Sequence, residues 1–140
     1  MLRSRARLLR DIRTFFAERD VMEVETPVLS SAGNSDPGIQ QWRTAGEQTW
    51  LRTSPEYAMK RLLAAGSGDI YELGRVFRAG ESGRYHNGEF TMLEWYRVGW
   101  DYHQLMDEVS QLLRHCWPGQ PLVETRLTYR QLFMDHAGLD

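Results

Sequence analysis

The stretch from Arg75 to Arg97, Arg-Val-Phe-Arg-Ala-Gly-Glu-Ser-Gly-Arg-Tyr-His-Asn-Gly-Glu-Phe-Thr-Met-Leu-Glu-Trp-Tyr-Arg, leaves the chain few choices. It reads as a strand, a polar loop over Ala79 to Gly88, and a second strand, and so as a long hairpin. Strand side chains alternate between two faces. Phe90, Met92, Glu94 and Tyr96 therefore share one face, and Glu89, Thr91, Leu93, Trp95 and Arg97 share the other. A half-buried strand normally hides a plain apolar face. A carboxylate set between aromatic rings points instead to a site for a flat ring and a cation.

The hairpin has neighbours in sequence that can cover it. Leu8, Leu9, Ile12, Phe15 and Phe16 recur at helical spacing, which predicts an amphipathic helix from residue 2 to about 19 with its arginines in solvent. Met22 to Leu29 reads as one strand carrying Pro27, which confines it to an edge. This strand and the first helix are suited to a dimer seam. Residues 30–48 are Ser-, Gly-, Asn-, Asp- and Gln-rich and read as a loop with a short strand at Ile39 to Thr44. Thr49 to Thr53 follows as a strand. Ser54-Pro55-Glu56 then starts a helix, with Ser54 as N-cap and a core face of Tyr57, Met59, Leu62 and Leu63, ended by Gly66 and Gly68. Gly74, inside the strand Asp69 to Phe77, marks a close approach of ligand or backbone. Asp101 caps a further helix, and Thr128 caps a last short one that ends near Gly138. The order is helix, strand, strand, helix, strand, strand, helix, helix, which predicts a mostly antiparallel α+β fold in one domain over residues 1–140.

Composition narrows the chemistry. A net charge of −2 gives no global attraction to nucleic acid or an anionic membrane. Lys60 is the only lysine, and therefore the only candidate for a Schiff base. The single cysteine, Cys116, excludes an internal disulfide, and the histidines at 86, 103, 115 and 136 are too scattered to suggest a metal site. The N-terminus has no apolar run long enough for a signal peptide or a membrane span, so a cytoplasmic location is expected.

The chemistry-bearing residues crowd into the hairpin. Arg78, Glu81, Arg84, His86 and Asn87 come directly before the Phe90-Glu94-Tyr96 face. Arginines offer paired donors to phosphate, Phe90 offers a ring to stack on, and Glu94 with Tyr96 can hold an amine. Jointly they describe a nucleotide beside an amino-bearing substrate. Glu56 has two readings: an anion that complements the helix dipole, or one aimed at a substrate ammonium.

Phe77-Arg78 with Arg84 to Tyr96 resembles motif 2 of class II aminoacyl-tRNA synthetases, in its lysine-specific form. Val24-Glu25-Thr26-Pro27-Val28-Leu29 resembles motif 1, the dimer motif, and Thr53 to Tyr57 with Lys60-Arg61-Leu62 resembles the amino-acid-binding segment. Gly83 to Asn87 and Glu94 to Arg97 look most like the short lysyl-tRNA synthetase paralogues that attach (R)-β-lysine to a lysine of translation elongation factor P. The resemblance implies an antiparallel sheet flanked by helices, ATP with Mg²⁺, lysine or β-lysine as substrate, elongation factor P as acceptor, a homodimer, and no tRNA partner. Alternatives are the catalytic part of a lysyl-tRNA synthetase and a non-catalytic dimerising or partner-binding module.

The same resemblance implies residue roles. Arg78 would clamp the α-phosphate and the substrate carboxylate. Ala79, Gly80, Glu81, His86, Asn87 and Phe90 would border ATP, with Phe90 against adenine. Ser54, Pro55 and Glu56 would border the amino acid, and Glu94 and Tyr96 would bind an amine. Three departures carry expectations. Gly80 stands where glutamate is usual, with Glu81 next to it. Gly88 stands where proline is usual, which predicts a looser loop. Met1 opens the first helix and Asp140 precedes any motif 3. An anticodon-binding domain and the motif 3 strands are therefore expected to be absent, and the chain by itself inactive.

Overall fold

The structure, a computed structural model, describes residues 1–80 and 83–138. The chain divides into two compact units, Met1–Asp101 and Tyr102–Asp140. In the first, helix α1 (Leu2–Ala17) is followed by strands β1 (Met22–Glu23), β2 (Leu29–Ser30) and β3 (Trp50–Leu51), helix α2 (Glu56–Ala64), and the long strands β4 (Ile70–Phe77) and β5 (Glu89–Tyr96). One sheet has the order β1-β4-β5, with β1 parallel and β5 antiparallel to β4. A two-stranded antiparallel sheet joins β2 to β3. The fold is α+β, as the sequence predicts.

The hairpin register runs from Ile70 opposite Tyr96 to Phe77 opposite Glu89. Helix α1 covers the Tyr71–Trp95 face. Phe16, fully buried, stacks on Tyr71 with ring centroids 4.5 Å apart and meets Trp95 at 5.6 Å. From the same helix Arg5 donates to Thr91 Oγ1 at 2.6 Å, and Arg13 pairs with Glu23, which accepts from the Tyr71 hydroxyl at 2.8 Å. Burial first, and then that hydrogen bond, push the Tyr71 phenol above its ordinary range. The opposite face of the hairpin faces β3 and the start of α2 through the contacts described below.

Several predicted elements differ in extent. The single strand expected over Met22 to Leu29 is two short strands. The Val24 amide still bonds to Tyr71 O, but the Thr26 amide turns to the Glu72 side chain at 3.1 Å and Pro27 has no donor. The ladder stops there and the chain re-pairs at Leu29 with Leu51. The strand expected over Ile39 to Thr44 is reduced to a bridge between Arg43 and Trp50. Helix α2 begins one residue later than predicted, because the Pro55 carbonyl accepts its first bonds. Ser54 Oγ, one residue outside, takes the Glu56 amide at 3.0 Å. Of its expected core face only Met59 is buried, while Tyr57 is 55% exposed.

In the second unit, α3 (Tyr102–Cys116) directly follows Asp101, and α4 (Tyr129–Ala137) is capped as the sequence indicates. Thr128 Oγ1 accepts from the Gln131 amide at 3.1 Å, and Gly138 takes the left-handed conformation at φ 63°. Glu124 ties the connecting segment to α3 by accepting from Ser110 Oγ at 2.7 Å, and it also pairs with Arg126. No described helix is long and apolar enough to cross a membrane.

Candidate functional site

Strand β5 carries the centre of the site, because its alternation sends Glu94 to the face left open by α1. Glu94 accepts two short bonds, from Ser54 Oγ at 2.7 Å and from the Tyr96 hydroxyl at 2.6 Å. The Tyr96 phenol is held above its ordinary range by burial, then by its bond to Glu94, then by the charges of Glu94 and Glu56. It is therefore a neutral donor at physiological pH. Ser54 acts twice, since its oxygen also accepts the Glu56 amide at the start of α2. Glu56 itself pairs with Lys60 one turn along at 2.5 Å. That bond raises the Lys60 pKa further, which works against the free amine a Schiff base requires.

Arg78 leaves the end of β4 toward the same space. Its Nε donates to the Thr53 carbonyl at 3.3 Å, and its guanidinium carbon lies 5.4 Å from the Phe90 ring centroid, within cation–π range. A cleft of about 440 Å³ is lined by Ser54, Glu56, Arg78 and Glu94 together with Asn34, Asp36 and Tyr57 among others. One guanidinium and three carboxylates on one wall system suit a ligand that is anionic at one end and cationic at the other.

The remaining expected residues fall at different distances from this cleft. Pro55 is buried and lines a neighbouring cavity of about 340 Å³ with Pro27, Trp50 and Arg61. The Ala79 amide donates to Gln40 O at 2.9 Å, and Gly80 adopts φ 74°. That left-handed backbone disfavours the usual glutamate, and a Cβ there would also make the Gln40 side-chain end, 2.7 Å away, move aside. Glu81 lies outside the described residues. His86 and Asn87 are exposed in the hairpin loop, where His86 exchanges backbone bonds with Gly83. At Gly88 a Cβ would sit 2.8 Å from the Trp42 ring, so glycine there lets that ring close on the loop.

Sequence reasoning missed the wall supplied by residues 34–41. Asn34 bridges Thr53 Oγ1 at 3.1 Å and the Tyr57 hydroxyl at 3.2 Å, and Ser35 Oγ also meets that hydroxyl at 2.9 Å. Asn34 and Asp36 each accept an amide two residues on, closing successive Asx turns. The Asn-Ser-Asp-Pro-Gly run signals an ordered turn, but nothing local says which surface it covers. Among the described residues, no three His, Cys, Asp or Glu side chains converge as a metal-binding group.

Comparison with known proteins adds the rest. Residues 1–135 match the family of class II tRNA synthetases (D, K and N). The elongation factor P–(R)-β-lysine ligase of Vibrio cholerae serotype O1 is 50% identical over 149 aligned positions, covering 99% of this chain and 44% of that protein. The ligase of the same name from Histophilus somni strain 2336 is 48% identical over 147 positions, covering 99% and 45%. The chain thus spans less than half the length of the curated relatives it matches. A crystal structure assigned as an aspartyl-tRNA synthetase of Leishmania major Friedlin superposes with a TM-score of 0.70 at 22% identity, over 83% of this chain and 22% of that one. At that identity the likeness speaks for the fold.

Proposed function

Because the chain belongs to the class II tRNA synthetase family (D, K and N), we propose that it carries one wall of an active site that activates lysine or β-lysine with ATP and passes it to a lysine of elongation factor P. The observation that carries this reading is the cleft itself. It is lined both by Arg78, whose guanidinium lies over the Phe90 ring, and by Glu94, which is held by Ser54 and Tyr96. The near-50% identity to ligases of that name supports the choice of acceptor.

In this reading Glu94 and Glu56 take the substrate ammonium groups, and Arg78 bridges the substrate carboxylate and the α-phosphate of ATP. Phe90 stacks on the base, and Ala79, Gly80 and the His86–Asn87 turn border the nucleotide. A carboxylate oxygen attacks the α-phosphorus in line, the new P–O bond forms, and the bond to pyrophosphate breaks. The amine nitrogen of the acceptor lysine then attacks the acyl carbon, AMP leaves, and the nitrogen's proton passes to solvent. No protein nucleophile is required; positioning and charge stabilisation carry the chemistry. Mg²⁺ binds such sites chiefly through nucleotide phosphates. The described residues make no metal-binding group of their own, so no step is assigned to the ion. Motif 1, Val24 to Leu29 after α1, is the proposed homodimer seam, and the cytoplasm the proposed location.

The test uses the intact gene product containing this chain, with ATP, elongation factor P and each lysine isomer, read by mass spectrometry of the factor. One lysine should gain an aminoacyl group with one or both isomers. Charging of tRNA in place of elongation factor P would favour the tRNA synthetase reading. Absence of amino-acid-dependent ATP–pyrophosphate exchange would leave only a non-catalytic module.

A further inference from the structure

Gly74 predicts a close approach, and what approaches it is the side chain of Arg52. A Cβ on Gly74 would lie 2.5 Å from Arg52 Nη2 and 2.9 Å from Glu72 Oε1. Arg52 and Glu72 are both buried, with side chains 7% and 3% exposed, and their charged atoms stand 2.5 Å apart. The guanidinium spans three segments. Nε donates to Arg75 O at 2.9 Å, and Nη1 donates to Thr26 O at 2.9 Å and to Thr26 Oγ1 at 2.7 Å. Thr26 in turn gives both its hydroxyl, at 2.6 Å, and its amide to Glu72 Oε2. The Arg52 backbone completes the junction, donating to Val28 O and accepting from the Phe77 amide.

This knot lies one residue from the cleft. Directly after Arg52 come Thr53, whose carbonyl receives Arg78, and Ser54, whose hydroxyl holds Glu94. Glu72 is also the cross-strand partner of Glu94 on the same sheet face. Like charges directly opposite in a sheet repel, so Arg52 compensates the one carboxylate and leaves Glu94 free to meet a substrate cation. We infer that Arg52 and Glu72, seated over Gly74, are positioning residues that set the amine end of the cleft by fixing Ser54 and balancing the charge behind Glu94. The inference rests on the proposed activation reaction and adds residues that do not touch the substrate. Lysine cannot reproduce the arrangement, because it lacks the planar fork that reaches Arg75 O and Thr26 together.

The experiment is amino-acid-dependent ATP–pyrophosphate exchange by the intact gene product, with melting curves in parallel. Arg52→Lys and Gly74→Ala each disturb the fork while keeping a positive charge. Each should raise KM for the diamino acid about tenfold with kcat changed less than about threefold. A purely structural role would do the reverse, reducing the folded fraction and so the apparent kcat at constant KM. The double variant Arg52→Met with Glu72→Leu replaces the buried pair by apolar groups, which buried pairs often tolerate. It should melt near the wild type yet keep the raised KM. Wild-type KM in that double variant, or in both folded single variants, overturns the inference while the proposed function stands. A wild-type protein silent with both isomers overturns the proposed function, and the inference with it.

Discussion

On one face of the β4–β5 hairpin, Phe16 of α1 closes over Tyr71 and Trp95, and the contacts are rings against rings. On the other face two glutamates stand opposite each other in register, Glu72 buried against Arg52 and Glu94 open to the cleft. The ring cluster on the first face draws its energy chiefly from area removed from water, with the one phenol in it satisfied by Glu23. The second keeps charge at a strand centre, which is tolerated because each carboxylate is compensated: Glu72 by its ion pair with Arg52 and by the Thr26 amide and hydroxyl, Glu94 by the hydroxyls of Ser54 and Tyr96. The parity of residue number thus decides which residues meet α1 and which meet the cleft, and the cleft face is itself anchored by core residues, since Ile70 and Val76 on it are fully buried.

That separation can be broken from either side. Phe16→Ala should cost about 3–5 kcal/mol, as truncations of buried aromatic residues do, and a large drop in melting temperature checks it. Substrate KM in whatever fraction stays folded should be unchanged. Arg78→Ala should invert the pattern: melting temperature near the wild type, ATP–pyrophosphate exchange by the intact protein down by about 10²–10³-fold, the scale for losing one preorganised charge contact. If exchange survives, Arg78 is not the phosphate clamp.

Tyr96→Phe sharpens the comparison through pH. The folded Tyr96 pKa lies above its unfolded value near 10.0, so its contribution to stability is complete below pH 10 and is lost as pH rises through the elevated folded value. Stability of the wild type should therefore fall off above pH 10, and the variant should show a shallower fall, Tyr71 supplying what remains. Melting temperatures across the alkaline range decide this. Near neutrality the variant should lose about 1 kcal/mol, one hydrogen bond's worth. The smallest effect is expected at Lys60→Met. Its pair with Glu56 is exposed, so melting should be unchanged, and retained exchange would exclude a Schiff base at the only lysine.

Much of this arrangement is legible in the sequence. The alternation of β5, the hairpin loop, the amphipathic first helix and the Thr128 and Gly138 caps depend on neighbours two to four residues apart, and local periodicity reports those. The motif resemblance assigns Arg78, Ser54, Glu56 and Glu94 to one site, and in the structure these four residues line one cleft. The Asn34–Asp36 wall, the Trp42 ring on Gly88 and the Arg52–Glu72 pair were not legible. Each joins segments far apart in the chain, and no local pattern specifies such a partner.

Parity alone dictated that Phe90, Met92, Glu94 and Tyr96 share a face, because strand geometry allows no other outcome. Only the tertiary structure decided what those residues meet. The Thr26 amide abandons its strand for Glu72, Arg52 settles over Gly74, and Ser54 arrives beside Glu94. The physical reason is that a buried charge must find its partners wherever the fold brings them, and those partners are chosen by space rather than by sequence distance.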